Sequence, residues 1–461
     1  MANQPVFREA LLLAAALICV PPLQAQAPPP AQISASAPVG FAQAFDAALA
    51  NDAPLRAARF ERESVKEGVP IARAALLPSA ALNVNESLTQ GRREFPNSQN
   101  QLVTVRVDYL SPQATLQMRA PIFNWESISR YRQSLVQSDA ADAVFRVRAA
   151  DLMDRLTLAY LQRLLADENV ALALSQVSAL EGQQLRADQR LQRGEGTRIE
   201  VSETAAQLSV ARIRLLEAQD QVTIARRGLA RITGLDVGAV RNLPANLRPS
   251  ALPPQGLDEW LALAAVRNPT VQVRTQQAEV ARLAIQRSKA GHYPRLDAVA
   301  SLSKSSNESL ANLNQSSKLA SVGLQLSIPL FSGFGIEASV RQSQSDLARA
   351  EAELTNDREN TALEVQKQFI AFSNGLAKIE AQERAVVAME VALDGITRGV
   401  PAGLRTLAEV LDAQSKVFSV KRDLAQARFD YFLARMRLQA QSGAPLAEIV
   451  FDLDNLLAVT P

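Results

Sequence analysis

Two helical patterns, over residues 127–193 and 334–398, each run for about 65 residues, or about 100 Å at a rise of 1.5 Å per residue. A compact domain cannot house a helix of that length, so the chain must build an elongated body. The pattern is also written twice. Asn51-Asp52-Ala53-Pro54 matches Arg267-Asn268-Pro269, and each leads into an Ala-rich helical stretch that stops at a proline, Pro78 or Pro294. Pro121-Ile122-Phe123 and Pro329-Leu330-Phe331 each open one of the long patterns, which break at Gly194-Glu195-Gly196 and between Gly399 and Gly403. The closing segments, 200–234 and 409–443, align without a gap. Equivalent positions stay about 205–216 residues apart, the mark of a duplication with small insertions. Ala-rich helices resemble one another by default, but paired Pro-x-Phe turns and paired Gly breaks are not periodic features.

Each copy reads as helix, hairpin, long helix, half-length helix. The first helices are expected over 41–77 and 257–293 and the closing helices over 197–233 and 404–442. Two half-length helices end to end equal one long helix, which points to a rod in which stacked short helices line each continuous one. In the second closing helix Val410, Ala413, Val417, Val420, Leu424, Ala427, Tyr431, Ala434 and Leu438 are spaced by threes and fours, a heptad-type seam. The first copy keeps Val201, Leu208, Ala211, Leu215, Ala218, Val222, Ala225 and Leu229 on the matching stripe. The many alanines let helix axes approach closely.

Between the helices each copy offers two alternating segments, about 79–90 and 112–121 in the first, about 295–304 and 319–328 in the second. Leu82 and Val84 alternate with Asn83 and Asn85, and Val322, Leu324 and Leu326 with Gly323, Gln325 and Ser327. About ten residues with one apolar and one polar face suit a tilted outer-membrane strand. Polar loops over 90–110 and 305–317 would face outward. Four strands leave two open edges, which lipid does not tolerate, and they are fewer than the eight of the smallest barrels. Three chains would supply about twelve. A soluble two-hairpin sheet is the alternative reading of the strands alone.

Composition narrows the function. Lys and Arg number 49 against 47 Asp and Glu, a formal charge of +2, so no electrostatic footprint for nucleic acid exists. One Cys and one His leave no cofactor-bearing or metal-ligating cluster and no nucleophile–His arrangement. His292 stands alone beside Tyr293-Pro294, where a helix-end role outweighs catalysis, and Trp125 and Trp260 read as packing residues. No Gly-rich phosphate loop is present, so any energy comes from a partner, and the chain is read as no enzyme. Arg8 precedes an apolar run from Ala10 to Val20 that suits a signal peptide, 1–25, with cleavage after Ala25. Ile18 before Cys19 does not fit a lipid anchor, so Cys19 leaves with the signal. A flexible lead-in, 26–40, follows. No later run is apolar and long enough for a membrane helix.

The pattern resembles the TolC family of outer-membrane channel proteins from about Phe41 to Leu457. Its most specific stretch is Gly403-Leu404-Arg405-Thr406-Leu407-Ala408-Glu409-Val410-Leu411-Asp412-Ala413, close to the family's Gly-x-Arg-Thr-hydrophobic-x-Asp-Val-Leu-Asp-Ala signature. The resemblance implies a homotrimer in the outer membrane of a Gram-negative bacterium, each chain supplying one third of a periplasmic α-barrel and of a twelve-stranded β-barrel. It implies a periplasmic adaptor (membrane fusion protein) and an inner-membrane ABC exporter or other efflux transporter as partners. Repeat 1 then spans 41–234, a linker 235–256, repeat 2 257–443 and an equatorial tail 444–461, the linker and tail forming a belt at mid-height. Residue by residue, Glu409 and Asp412 take the positions of acidic rings at the narrow entrance, with Glu409 in place of the family's Asp. Arg405 takes the basic position of a closed-state lock, with Glu200 as its acidic partner. The lock's Tyr falls at Val400, so that hydrogen bond is missing. The turns at Gly194, Gly196, Gly399 and Gly403 would meet the adaptor. Type I secretion of a protein such as a toxin fits the Gly-Leu-Arg-Thr-Leu tip and the missing lipid anchor. A multidrug efflux role and a non-pore periplasmic coiled-coil protein are the alternatives.

Overall fold

The computed structural model describes residues 38–241, 252–307 and 315–458. The expected signal peptide with Cys19, most of the lead-in, and parts of the 235–256 linker, the 305–317 loop and the tail lie outside the described residues.

The first helix of each copy is broken rather than continuous. In the first copy it forms α1 (Phe41–Asn51), α2 (Ala53–Lys66) and α3 (Gly68–Ala74); in the second, α6 (Leu257–Arg267) and α7 (Pro269–Lys289). The breaks follow from local chemistry. Asp52 is extended and its carboxylate accepts from Leu55 N–H at 2.9 Å, and Asn268 accepts from Thr270 N–H at 2.8 Å. Each is an N-cap followed by a proline in the first turn, so one helix ends and another starts at the same residue.

The long helices are α4 (Trp125–Gln192) and α8 (Gly335–Gly399), and the closing helices are α5 (Arg198–Thr233) and α9 (Leu407–Gln441). The second closing helix starts three residues later than its sequence pattern, because 401–406 form turns. Arg62 and Lys66 of α2 reach Asp142 on the first half of α4, whereas Arg212 of α5 reaches Glu181 on its second half. Arg274 of α7 bridges Glu353 and Asp357 early on α8, and Arg428 of α9 reaches Glu383 further along. Short helices therefore stack along each long one. The seams bury Leu208, Ala211 and Leu229 on α5, and Val410, Ala413, Val417, Ala427, Tyr431, Ala434 and Leu438 on α9.

The core sits at mid-height. Leu152, Leu156 and Tyr160 of α4 meet Phe41 and Phe45 of α1, Phe432 and Met436 of α9, and Ile449 and Leu453 of the last helix, α10 (Leu446–Ala458). Polar ties cross the same level. Arg435, 1% exposed, donates to both oxygens of Asp452 at 2.7 and 2.8 Å, so α10 is bolted to α9. Arg437 does the same to Asp154 of α4, and Arg155 to Asp52. The end of the lead-in is pinned rather than flexible: Val39 N–H donates to the Ala239 carbonyl at 3.0 Å, and its carbonyl accepts from the Tyr160 hydroxyl at 2.9 Å.

The strands are β1 (Ser79–Pro96), β2 (Leu102–Asn124), β3 (Arg295–Asn307) and β4 (Gln315–Ser327). They form one antiparallel sheet in the order β1-β2-β3-β4, so the two hairpins join through β2 and β3 while β1 and β4 are its edges. β1 and β2 are far longer than the alternating segments, and the expected 90–110 loop is mostly paired strand, closed by a turn in which Asn97 N–H bonds the Gln101 carbonyl. Beyond the apolar stretch the pairs Gln90–Asp108 and Glu94–Thr104 make the Leu82 face polar, while Phe95 pairs with Val103 on the opposite face, so the alternation continues with its apolar side reversed. Register puts Leu82, Leu116, Leu302 and Ala320 in one row, and Asn85, Gln113, Ser305 and Ser317 in another. Successive rows face opposite sides. One face is thus apolar and exposed, with Leu82, Leu302, Val322 and Leu324 open to the surroundings. On the other, Arg119 of β2 contacts Asp297 of β3 at 2.5 Å, tying the two hairpins together.

Candidate functional site at the helical tip

The rod ends in two helical hairpins, α4–α5 and α8–α9. Their turns need glycine where the backbone is left-handed, at Gly194 (φ 76°) and Gly403 (φ 66°). Gly196 and Gly399 have ordinary φ but little room: a Cβ would lie 3.1 Å from the Leu191 backbone N at the first and 2.9 Å from Arg405 Cγ at the second. Leu407 and Leu411 of α9 pack with Val177 and Leu180 of α4 and with Leu208 and Ala211 of α5, so the two tips share one small core.

Each closing helix begins with the same device. Thr197 and Thr406 are extended N-caps whose hydroxyls accept from the N–H of Glu200 and Glu409, both at 3.2 Å. The glutamates reach back in turn: Thr197 N–H donates to Glu200 Oε2 at 3.2 Å, and Thr406 N–H to Glu409 Oε2 at 2.8 Å. These are reciprocal capping boxes. Sequence reasoning passed over both, although the Thr-x-x-Glu spacing was there to be read.

The boxes change the expected lock. Within one chain Arg405 does not meet Glu200. Its guanidinium donates to Glu409 Oε1 at 3.1 Å, in the first turn of the helix that Arg405 precedes, and Glu200 is occupied by its own cap. The nearer acid wins because Glu409 already folds back over Thr406, the residue next to Arg405. The Thr406 N–H, then Arg405, hold the Glu409 carboxyl below the usual range, so it stays ionised in mild acid. Asp412 lies one turn further along and pairs with Lys416 at 2.7 Å. Both carboxylates are substantially exposed, their side chains 42% and 63% open. Val400, at the position of the family's Tyr, follows the last residue of α8. Among the described residues no group of His, Cys, Asp and Glu could hold a metal ion, and no helix is long and apolar enough to cross a membrane.

A duplicated helical rod carrying a half-lipophilic sheet is matched by the family model for outer membrane efflux proteins, over residues 44–235 and 260–444. The chain belongs to that family. Its relatives include the proteases secretion protein PrtF of Dickeya chrysanthemi, 33% identical over 88% of each chain. The alkaline protease secretion protein AprF of Pseudomonas aeruginosa is 30% identical over 88% of this chain and 84% of its own. Among solved structures the Campylobacter jejuni CmeC outer membrane channel shares the fold with a TM-score of 0.77 at 15% identity, covering 91% of this chain and 90% of that one. The outer membrane efflux protein described here is an outer-membrane export channel, and the members of its family are transport proteins rather than enzymes.

Proposed function

We propose that this efflux-family chain is the outer-membrane exit of a type I protein-secretion system. It would work as a homotrimer with a periplasmic adaptor and an inner-membrane ABC exporter. The observation that carries the assembly is the sheet: β1 and β4 are both edges, and an apolar sheet with open edges is not viable in lipid. Pairing β4 of one copy with β1 of the next closes twelve strands from three chains. The flanks of the rod agree, since Ile213 and Ile224 of α5 and Leu363, Val387 and Val391 of α8 are left exposed. Secretion of a protein is favoured over drug efflux by the relatives PrtF and AprF, whose names tie them to protease secretion.

In that assembly Glu409 and Asp412 would form two acidic rings at the narrow end, which attract cations and repel anions. Arg405 would moderate the first ring from within the same chain. The link from Arg405 to Glu200 would be made between copies or between the two tips once they draw together. Gly194, Gly196, Gly399 and Gly403 would shape the turns on which the adaptor docks. The test is direct. Detergent-purified protein should be a trimer that conducts ions in planar bilayers. Deleting the gene should trap the cargo of a neighbouring ABC exporter inside the cell while leaving drug susceptibility unchanged. A monomer without conductance would overturn the channel. Normal secretion with heightened drug sensitivity would favour the efflux role.

A further inference from the structure

The apolar face of the sheet ends in a feature that a membrane channel does not need for conduction. Register places Val84, Ala114, Lys304 and Lys318 in one row, two rows beyond Leu82, Leu116, Leu302 and Ala320 along each strand. Side chains two apart share a face, so Lys304 and Lys318 stand on the same side as those leucines. They are direct cross-strand partners, both exposed, and neither makes an ion pair among the described residues. Like charges directly opposite one another on a sheet are destabilising. Among the described residues of one chain no carboxylate adjoins the pair on this face. Their neighbours on this face are Leu302 and Ser306 on β3, Ser316 and Ala320 on β4, and Ala114 on β2, and Glu86 is two strands away on β1. A second like-charged pair, Arg92 opposite Arg106, lies on the same face of β1 and β2, bordered by Asp108 and Glu94.

Position says what could lie there. From Leu296 to Lys304 the strand runs about 27 Å, which at a barrel tilt of about 40° climbs about 20 Å of the roughly 25 Å height of an apolar band. The lysines therefore stand in the upper part of that band, short of Leu88 and Leu110 on the same face, on the side away from the helices, which is the outer leaflet when the helical rod is periplasmic. Two ammonium groups on Cβ atoms about 5 Å apart suit one acceptor with several oxygens and more than one negative charge. A phosphate monoester meets that description, whereas the phosphodiester of an ordinary phospholipid carries a single charge.

We propose that Lys304 and Lys318 form a binding site for the monoester phosphate of lipid A, the anionic glycolipid of the outer leaflet. The site rests on the barrel reading and on the sheet lying in the outer membrane. The intact assembly, purified in detergent with chelator present, is incubated with bisphosphorylated lipid A, with dephosphorylated lipid A, or with phosphatidylglycerol, and bound lipid is counted by native mass spectrometry. Bilayer conductance is measured on the same samples. Wild-type protein should retain bisphosphorylated lipid A at least fivefold better than either of the other lipids. The K304Q/K318Q double variant should lose that preference while conducting normally, and K304R/K318R should keep it. Equal retention by the double glutamine variant, or equal retention of dephosphorylated lipid A or phosphatidylglycerol by the wild type, would overturn the site. A wild-type protein that conducts no ions would overturn the channel itself and the lysine site with it.

Discussion

Arg405 Nη1 lies 3.1 Å from Glu409 Oε1, so the one carboxylate that caps α9 also holds the cation one turn before it. In a channel this couples the electrostatics of the entrance to the order of a helix end. Replacing Glu409 by Gln removes a charge from each copy but keeps a side chain able to cap. The cation-over-anion permeability ratio is expected to fall at least twofold, read as a reversal potential across a salt gradient. Arg405→Ala should shift it the other way. The lowered pKa of Glu409 sets the pH range. Its favourable interactions are complete above the ordinary carboxylate pKa and fade as pH falls below it, so selectivity should hold from pH 7 to 5 and decline in stronger acid.

The cap itself can be separated from the charge. Thr406→Ala removes the hydroxyl that accepts from Glu409 N–H and should cost about 1 kcal/mol of local stability. Hydrogen exchange at the first turn of α9 should quicken, while the same change at Thr197 should act only on α5.

Arg435 and Asp452 form the firmest tie between α9 and α10. Arg435→Met leaves a carboxylate facing a buried region and should destabilise the protein by about 3–5 kcal/mol. Limited proteolysis should then release the tail after α9. The double change Arg435→Met with Asp452→Leu should recover most of the loss, because two apolar groups bring no unpaired charge.

Tyr160 offers a test at high pH. Burial pushes its phenol up to about 12, and its hydroxyl donates to the Val39 carbonyl. A raised folded-state pKa means that the associated stability is whole below pH 10 and drains away between pH 10 and 12. Urea midpoints of wild-type protein should drop across that interval, and those of Tyr160→Phe should drop less. At neutral pH the variant should be weaker by about 1 kcal/mol.

Asp297, only 4% exposed, meets Arg119 across the junction of the two hairpins. Asp297→Ala should loosen β2 from β3 and lower the temperature at which the detergent-solubilised assembly unfolds on a gel. Ser301→Ala, whose hydroxyl bonds Ser321 within one hairpin, should leave that temperature nearly unchanged.

What could be read in advance was what repeats. The duplication, the two long helices, the α9 seam from Val410 to Leu438 and the alternation through Leu82 and Val322 all depend on periodic apolar residues, and periodicity survives in a bare sequence. What could not be read were properties set by single neighbours. Asp52 and Asn268 cut helices that look continuous, because one side-chain acceptor outweighs an unbroken apolar pattern. β1 and β2 run on past Gln90 where the apolar side of the ladder changes face, so Val103 and Val105 do not continue the alternation through Leu82 and Leu116. At the tip the motif located Arg405, Glu409 and Asp412, but motif matching pairs residues by family habit. Within one chain Arg405 is met instead by the capping glutamate of the helix it precedes.

The unfinished margins of the sheet have a cost in the cell. A copy arriving alone at the bilayer brings rows of unmatched peptide groups on β1 and β4, and nothing in hydrocarbon can satisfy them. Insertion must therefore wait for neighbours, and a strain making sound and edge-damaged copies together would lose far more export than the damaged fraction, since a single bad partner leaves every barrel it joins with a gap.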